Sequence, residues 1–252
     1  MIIAIMQPTF LPWMGYMSMI ARVDAFVFLD NVQFEQRSWQ SRNKIKLQDK
    51  IHFLSLSCQK APQKTLLKDI KLSPNGGGQQ NSVKGSVKGW TDKMLKTLHH
   101  AYSKSANYEK YFSLIQSKLN AHHKLCELNI DLISQFCKDL GIKTPLYRAS
   151  DLNLPEAKKE RLLLEICHFF KAQSYLSPEG SKAYLEDEKA RELFKEKGVK
   201  ILYFDFIHPL YKQQGKNFLA YLSIVDFLFN TPKPELEFQK IILENSHKIH
   251  TR

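Results

Sequence analysis

The chain is short of the features that mark a secreted, membrane-embedded or disulfide-built protein. It has four cysteines in 252 residues, Cys58, Cys126, Cys137 and Cys167, and no two form a C-x-x-C pair. Neither a disulfide framework nor a cysteine zinc site is expected. No apolar stretch approaches the roughly 20 residues that a bilayer-spanning helix needs. The opening MIIAIMQPTF has no basic segment and no small-residue cleavage pattern, so a cytoplasmic protein is expected. The chain also lacks G-x-G-x-x-G, a Walker A loop, G-x-S-x-G and H-E-x-x-H. The pairs His99-His100 and His122-His123 would point about 100° apart on a helix, so neither chelates a metal alone. No metal site is expected, and the cofactor stays unknown, with a nucleotide or an acyl donor open.

Acidic residues are also few. Against 37 Lys and Arg there are 25 Asp and Glu, a formal net charge of +12. That balance favours anionic partners such as phosphorylated small molecules, nucleic acid or an acidic membrane face. At 43% hydrophobic and 25% charged, the composition is otherwise that of a globular protein. Glycine is sparse except in SPNGGGQQNSVKGSVKG, residues 73–89, which reads as a flexible inserted loop.

Short apolar runs predict buried strands at Ile2–Met6 and Ala25–Asp30, and alternation predicts one at Ile51–Ser57. Further strands are expected at Leu146–Ala149, Ser174–Leu176 and Val199–Phe206. Apolar residues at helical spacing predict helices over Gly15–Val23, Trp90–Tyr102, Tyr108–Leu140, Ala157–Ala172, Ala183–Lys197 and Asn217–Phe229. Strands alternating with helices give an α/β fold with a mainly parallel sheet. One domain is expected over residues 1–230, with a helical insert near 90–140 and a C-terminal tail over 231–252 that ends in a short polar helix.

In a parallel sheet, ligands gather beyond the carboxyl ends of the strands. Gln7 follows the first strand, in a loop stiffened by Pro8 and Pro12. After the second come Asp30 and Gln33, then Arg37, Trp39, Arg42, Asn43 and Lys44. Two arginines flanking a tryptophan suit capture of a phosphate or carboxylate beside a ring. Ser150 and Ser177 follow later strands, and Tyr211 and Gln213 follow the last. Each has a plain structural reading as well: a cap, a packed loop or a surface ion pair.

Three strings together closely resemble the WbqC-like protein family: QPTFLPWMGY, the D-x-F-V-x-L-D-N-V-Q-F run of residues 24–34, and R-S-W-Q-x-R-N-K-I-K of residues 37–46. Ser150-Asp151 with Arg161, Y-L-S-x-x-G-S-x-x-Y-L at 175–185, H-P-x-Y-x-Q at 208–213 and F-x-x-x-x-S-I-x-D-x-L-F-N at 218–230 agree with it. The likeness runs from Ile3 to about Asn230. It implies a cytosolic enzyme of O-antigen or other surface-glycan synthesis that acts on a nucleotide-activated sugar, with acyl or aminoacyl transfer to an amino sugar as the candidate reaction. The loop after the first strand also looks like a degenerate form of the H-x-G-H loop of nucleotidyltransferases and pantothenate synthetases, which implies a Rossmann-like, HUP-type sheet. Trp13 and Tyr16 stand where the histidines would be, and neither can carry positive charge to a triphosphate.

On this reading Asp30 is the general base, with Gln7 beside it as the second catalytic residue. Tyr16, Gln33, Arg37, Trp39, Arg42, Asn43, Ser150, Ser177, Tyr211 and Gln213 bind substrate. Gln7, Asp30, Ser150 and Ser177 should converge on one cleft if their strands run parallel. Two alternatives stay open: a basic RNA-binding accessory protein, and a non-catalytic scaffold for a glycan-assembly complex. The sequence does not fix an oligomeric state.

Overall fold

The fold is taken from a computed structural model that describes residues 1–74, 89–181, 188–244 and 249–250. Most of the 73–89 loop and the start of the helix expected from Ala183 lie outside the described residues. Five parallel strands form the main sheet: β1 (Ile2–Met6), β2 (Ala25–Phe28), β5 (Leu146–Arg148), β6 (Ser174–Pro178) and β7 (Lys200–Phe204). Their spatial order is β5-β2-β1-β6-β7, with β8 (Ile249–His250) antiparallel at the far edge. From β1 the chain first builds outward through β2 to β5. It then returns to the other side of β1 for β6 and β7. The direction of winding therefore switches between β1 and β6.

The strands are apolar on both faces because helices cover both. Successive residues alternate between two cores. Ala4, Phe26, Phe28, Leu176 and Phe204 face the larger one. That core also takes α1 (Met14–Ile20), α2 (Trp90–Tyr102), α3 (Tyr108–Ala121), α4 (Leu125–Asp139), α7 (Ile224–Asn230) and α8 (Pro234–Glu244). Ile3, Ile5, Val27, Tyr175 and Tyr203 face the smaller core, beneath α5 (Glu160–Phe169) and α6 (Glu188–Glu196). The expected α/β class with a parallel sheet flanked by helices is what the structure has.

Several expected elements differ. The long helix over Tyr108–Leu140 is two helices, because His122 and Lys124 are extended and break it. The helix expected from Asn217 begins only at Ile224, where the Ser223 hydroxyl accepts a hydrogen bond from the Val225 N–H and caps it. The short helix expected after Thr231 is α8, and its Phe238 and Ile241 sit in the larger core. The largest omission is β3 (Arg42–Leu47), which pairs antiparallel with β4 (Lys50–Ser55) as a separate hairpin. Gln48 and Asp49 both have positive φ, 50° and 60°, the turn geometry that matches the twist of a two-residue hairpin.

Candidate functional site

A cavity of about 770 Å³ opens at the carboxyl ends of β1 and β6, at the switch in winding. Ile5, Tyr175, Leu162 and Leu163 give it an apolar floor, and Gln7, Thr9, Gln40 and Trp39 wall it on one side. Lys159 and Glu160 line it at the start of α5. Lys159 has φ +54° and ψ −131°, a strained conformation for a residue with a side chain.

The β1 loop is held by side chains from other elements. Asn129 of α4 donates from Nδ2 to Pro8 O (3.0 Å) and to Gln40 O (2.8 Å). Asn43 of β3 donates to Phe10 O (3.1 Å) and Leu11 O (2.8 Å). The Phe10 N–H donates to Trp39 O at 2.9 Å. Gly15 lets the Trp13 indole lie across the start of α1, since a Cβ there would meet the ring at 2.1 Å. These clamps bring Gln40 Nε2 to 2.7 Å from Gln7 Oε1. Gln7 keeps a free amide nitrogen among the described residues. Thr9 Oγ1, also on the cavity wall, is shielded from solvent and has no hydrogen-bond partner.

Of the residues singled out in the sequence, Gln7 and Trp39 line this cavity. Asp30 sits at the neighbouring strand end, wholly buried. Its carboxylate accepts from Arg148 Nε (2.9 Å), Ser150 N (2.9 Å) and Ser150 Oγ (2.7 Å), and it pairs with Arg148 Nη2 at 2.9 Å. Oδ2 takes three of these contacts and Oδ1 the remaining one. Asp30 anchors Arg148 and Ser150, and Arg148 passes the contact on to Glu127 at 2.8 Å. Ser150 is occupied within that cluster. Ser177 is buried at the carboxyl end of β6, and its hydroxyl has no partner.

Other expected site residues lie elsewhere. Tyr16 is a core residue on α1, its ring 5.5 Å from Phe26 and its hydroxyl donating to Gln7 O. Burial pushes its phenol well above the ordinary range. Asn43 is a buried clamp. Gln33 and Arg37 are exposed and outside the cavity lining. The guanidinium of Arg42 lies over the Phe53 ring at 4.9 Å. Tyr211 donates to Asp226 Oδ2 at 2.9 Å, and Gln213 donates to Leu219 O; both hold the loop between β7 and α7. Tyr211 lines a different cavity, of about 690 Å³, near the start of α8.

Thr9, Gln40 and Lys159 were not read as site residues from the sequence. Thr9 and Gln40 lie inside the strings that carry the family likeness, whereas nothing in the sequence around Lys159 marks its backbone strain. Among the described residues no group of three or more His, Cys, Asp or Glu side chains could hold a metal, and no helix is long and apolar enough to cross a membrane. Burial pushes the thiols up, to about 11 for Cys58 and about 12 for the other three, which leaves no ready thiolate nucleophile at neutral pH.

A parallel, doubly covered sheet with a cavity at its switch point defines a doubly wound α/β protein. The model of the WbqC-like protein family matches residues 7–238, and the chain belongs to that family. It is 28% identical over 231 residues to the uncharacterized protein Rv1507c of Mycobacterium tuberculosis, covering 90% of this chain and 93% of that protein. No solved structure matches the chain.

Proposed function

We propose that the protein is a cytoplasmic enzyme of surface-glycan synthesis that acts on a nucleotide-activated sugar, with acyl or aminoacyl transfer to an amino sugar as the reaction. The observation that carries this reading is the switch-point cavity. Its volume lies in the range that encloses a small organic ligand, and its wall carries the unpartnered Thr9 hydroxyl and the free amide of Gln7. Lys159 offers a cation at the rim, and Glu35 and Glu160 are the carboxylates within reach of a bound substrate. They stand beside Asp30 as candidates for proton transfer. The kinship with HUP-type nucleotidyltransferases is part of the same proposal, as is the part given to O-antigen.

Calorimetric titration with a panel of nucleotide-sugars, repeated on Thr9→Val and Gln7→Ala, tests the reading. A fitting nucleotide-sugar binds the native protein, and each variant weakens it about tenfold, the effect of one lost hydrogen bond to ligand. Absence of binding by every nucleotide-sugar, together with tight and salt-sensitive RNA retention, would discard the enzyme reading in favour of nucleic-acid binding.

A further inference from the structure

The β3–β4 hairpin has one face turned to the core and one to solvent. Asn43, Ile45 and Leu54 are buried on the inner side. On the outer side Lys44 pairs across the hairpin with Phe53, and Arg42 lies two residues before Lys44. Trp39, just ahead of the hairpin, stacks on Phe53 with ring centroids 6.4 Å apart and planes inclined 25°. Lys44 Nζ stands 5.3 Å from the Trp39 centroid and 5.9 Å from that of Phe53. Neither Arg42 nor Lys44 has a carboxylate partner among the described residues. Trp39 is 49% exposed and Phe53 42%, so this array contributes little to the core.

The array is continuous with the cavity, because Trp39 lines both. A tryptophan face beside two unpaired cations is the surface that stacks a planar base and receives its phosphates. A cation over an exposed ring is held weakly enough for a phosphate to take it away. Resting on the proposed function, we infer that this hairpin face is the nucleotide half of the site. The base stacks on Trp39, the phosphates lie against Lys44 and Arg42, and the sugar is directed inward to Gln7 and Gln40. The apolar floor and amide wall then meet the sugar, and the positive outer face meets the charge. Trp39 is suited to this work because its structural contribution here is its backbone carbonyl, which accepts from the Phe10 N–H and survives any side-chain change.

The test is titration of the full-length protein with nucleoside diphosphates, sugar 1-phosphates, nucleotide-sugars and a short single-stranded oligonucleotide. Each is repeated on Trp39→Ala, Trp39→Phe and the double variant Arg42→Gln/Lys44→Gln, with thermal denaturation as a check on folding. Trp39→Ala weakens nucleoside diphosphates and nucleotide-sugars about ten- to a hundredfold, the loss that follows removal of one stacking ring. Trp39→Phe restores most of that affinity. The double variant weakens the same ligands and flattens their salt dependence. Sugar 1-phosphates bind all variants alike or lose affinity only in the double variant. Unchanged binding of nucleoside diphosphates by Trp39→Ala and by the double variant would overturn this placement while leaving the enzyme reading intact. No binding of any nucleotide or nucleotide-sugar by the native protein removes both. Binding of the oligonucleotide on these residues, with none of mononucleotides, makes the face a nucleic-acid surface and also overturns the inference.

Discussion

Two polar clusters stand side by side at the carboxyl edge of the sheet, and they differ in what is left over. At the end of β2, Asp30, Arg148, Ser150 and Glu127 satisfy one another, and Asp30 is wholly buried. At the ends of β1 and β6, Gln7 is half engaged, Thr9 Oγ1 has no partner, and a cavity of about 770 Å³ lies in front of them. The strand-end position is common to both. Unused hydrogen-bonding capacity next to open volume separates a ligand site from a structural knot. A buried polar group without a partner costs stability, and a ligand that supplies the partner recovers that cost.

The sharpest way to break this contrast is at Asp30. Asp30→Ala strands the Arg148 guanidinium with Glu127 as its one remaining carboxylate and should cost about 3 kcal/mol, read by urea denaturation. A loss of activity without loss of stability would make Asp30 a catalytic group rather than an anchor. Asn43→Ala comes next: two carbonyls of the β1 loop lose their donor, for a cost of about 2 kcal/mol. Ligand affinity should fall with it as the loop loosens, which a titration at a temperature below the unfolding transition would show. Gln7→Ala should divide the two effects the other way, with stability within about 1 kcal/mol of the native protein and ligand affinity down about tenfold.

A smaller effect belongs to the loop between β7 and α7. Burial among Phe206, Tyr211, Phe218 and Tyr221 lowers the His208 imidazole below its ordinary 6.5, and a hydrogen bond to Pro209 O opposes this. Above pH 6.5 the ring is neutral folded or unfolded, and its contribution to stability is complete. As the pH falls below 6.5 the unfolded chain takes up a proton that the folded chain resists, so stability declines. His208→Gln should remove that part of the pH dependence from denaturation curves recorded between pH 5 and 7 (about one unit either side of the ordinary histidine value). Smallest of all, Arg37→Ala should leave stability within about 0.5 kcal/mol, because the side chain is exposed and makes no ion pair among the described residues.

The strands β1 and β2 were legible because each is a short apolar run, the pattern of a strand covered on both faces. Ile2–Met6 was bounded correctly for that reason. The hairpin strand β3 was hidden because RNKIKL carries three cations in six residues, which reads as a polar, ligand-binding loop. Its alternation shows only once Asn43 and Ile45 are seen to point inward. Asn43 and Tyr16 read as pocket residues because polar or aromatic groups near a strand end look alike in sequence. Whether they turn toward the cavity or into the core depends on side-chain directions that the three-dimensional packing sets.

The sequence by itself determined the alternating α/β order, the apolar strands, the positive charge and the family, since these follow from periodicity, composition and strings of adjacent residues. Only the tertiary structure decided which polar groups satisfy one another and which face a cavity. Gln7 and Gln40 are 33 positions apart, and Asp30 and Ser150 are 120 apart. Hydrogen-bond saturation between such distant residues is a property of the folded arrangement, because a lone pair is filled or left free by whatever the fold brings within 3 Å of it, at ordinary hydrogen-bond distance.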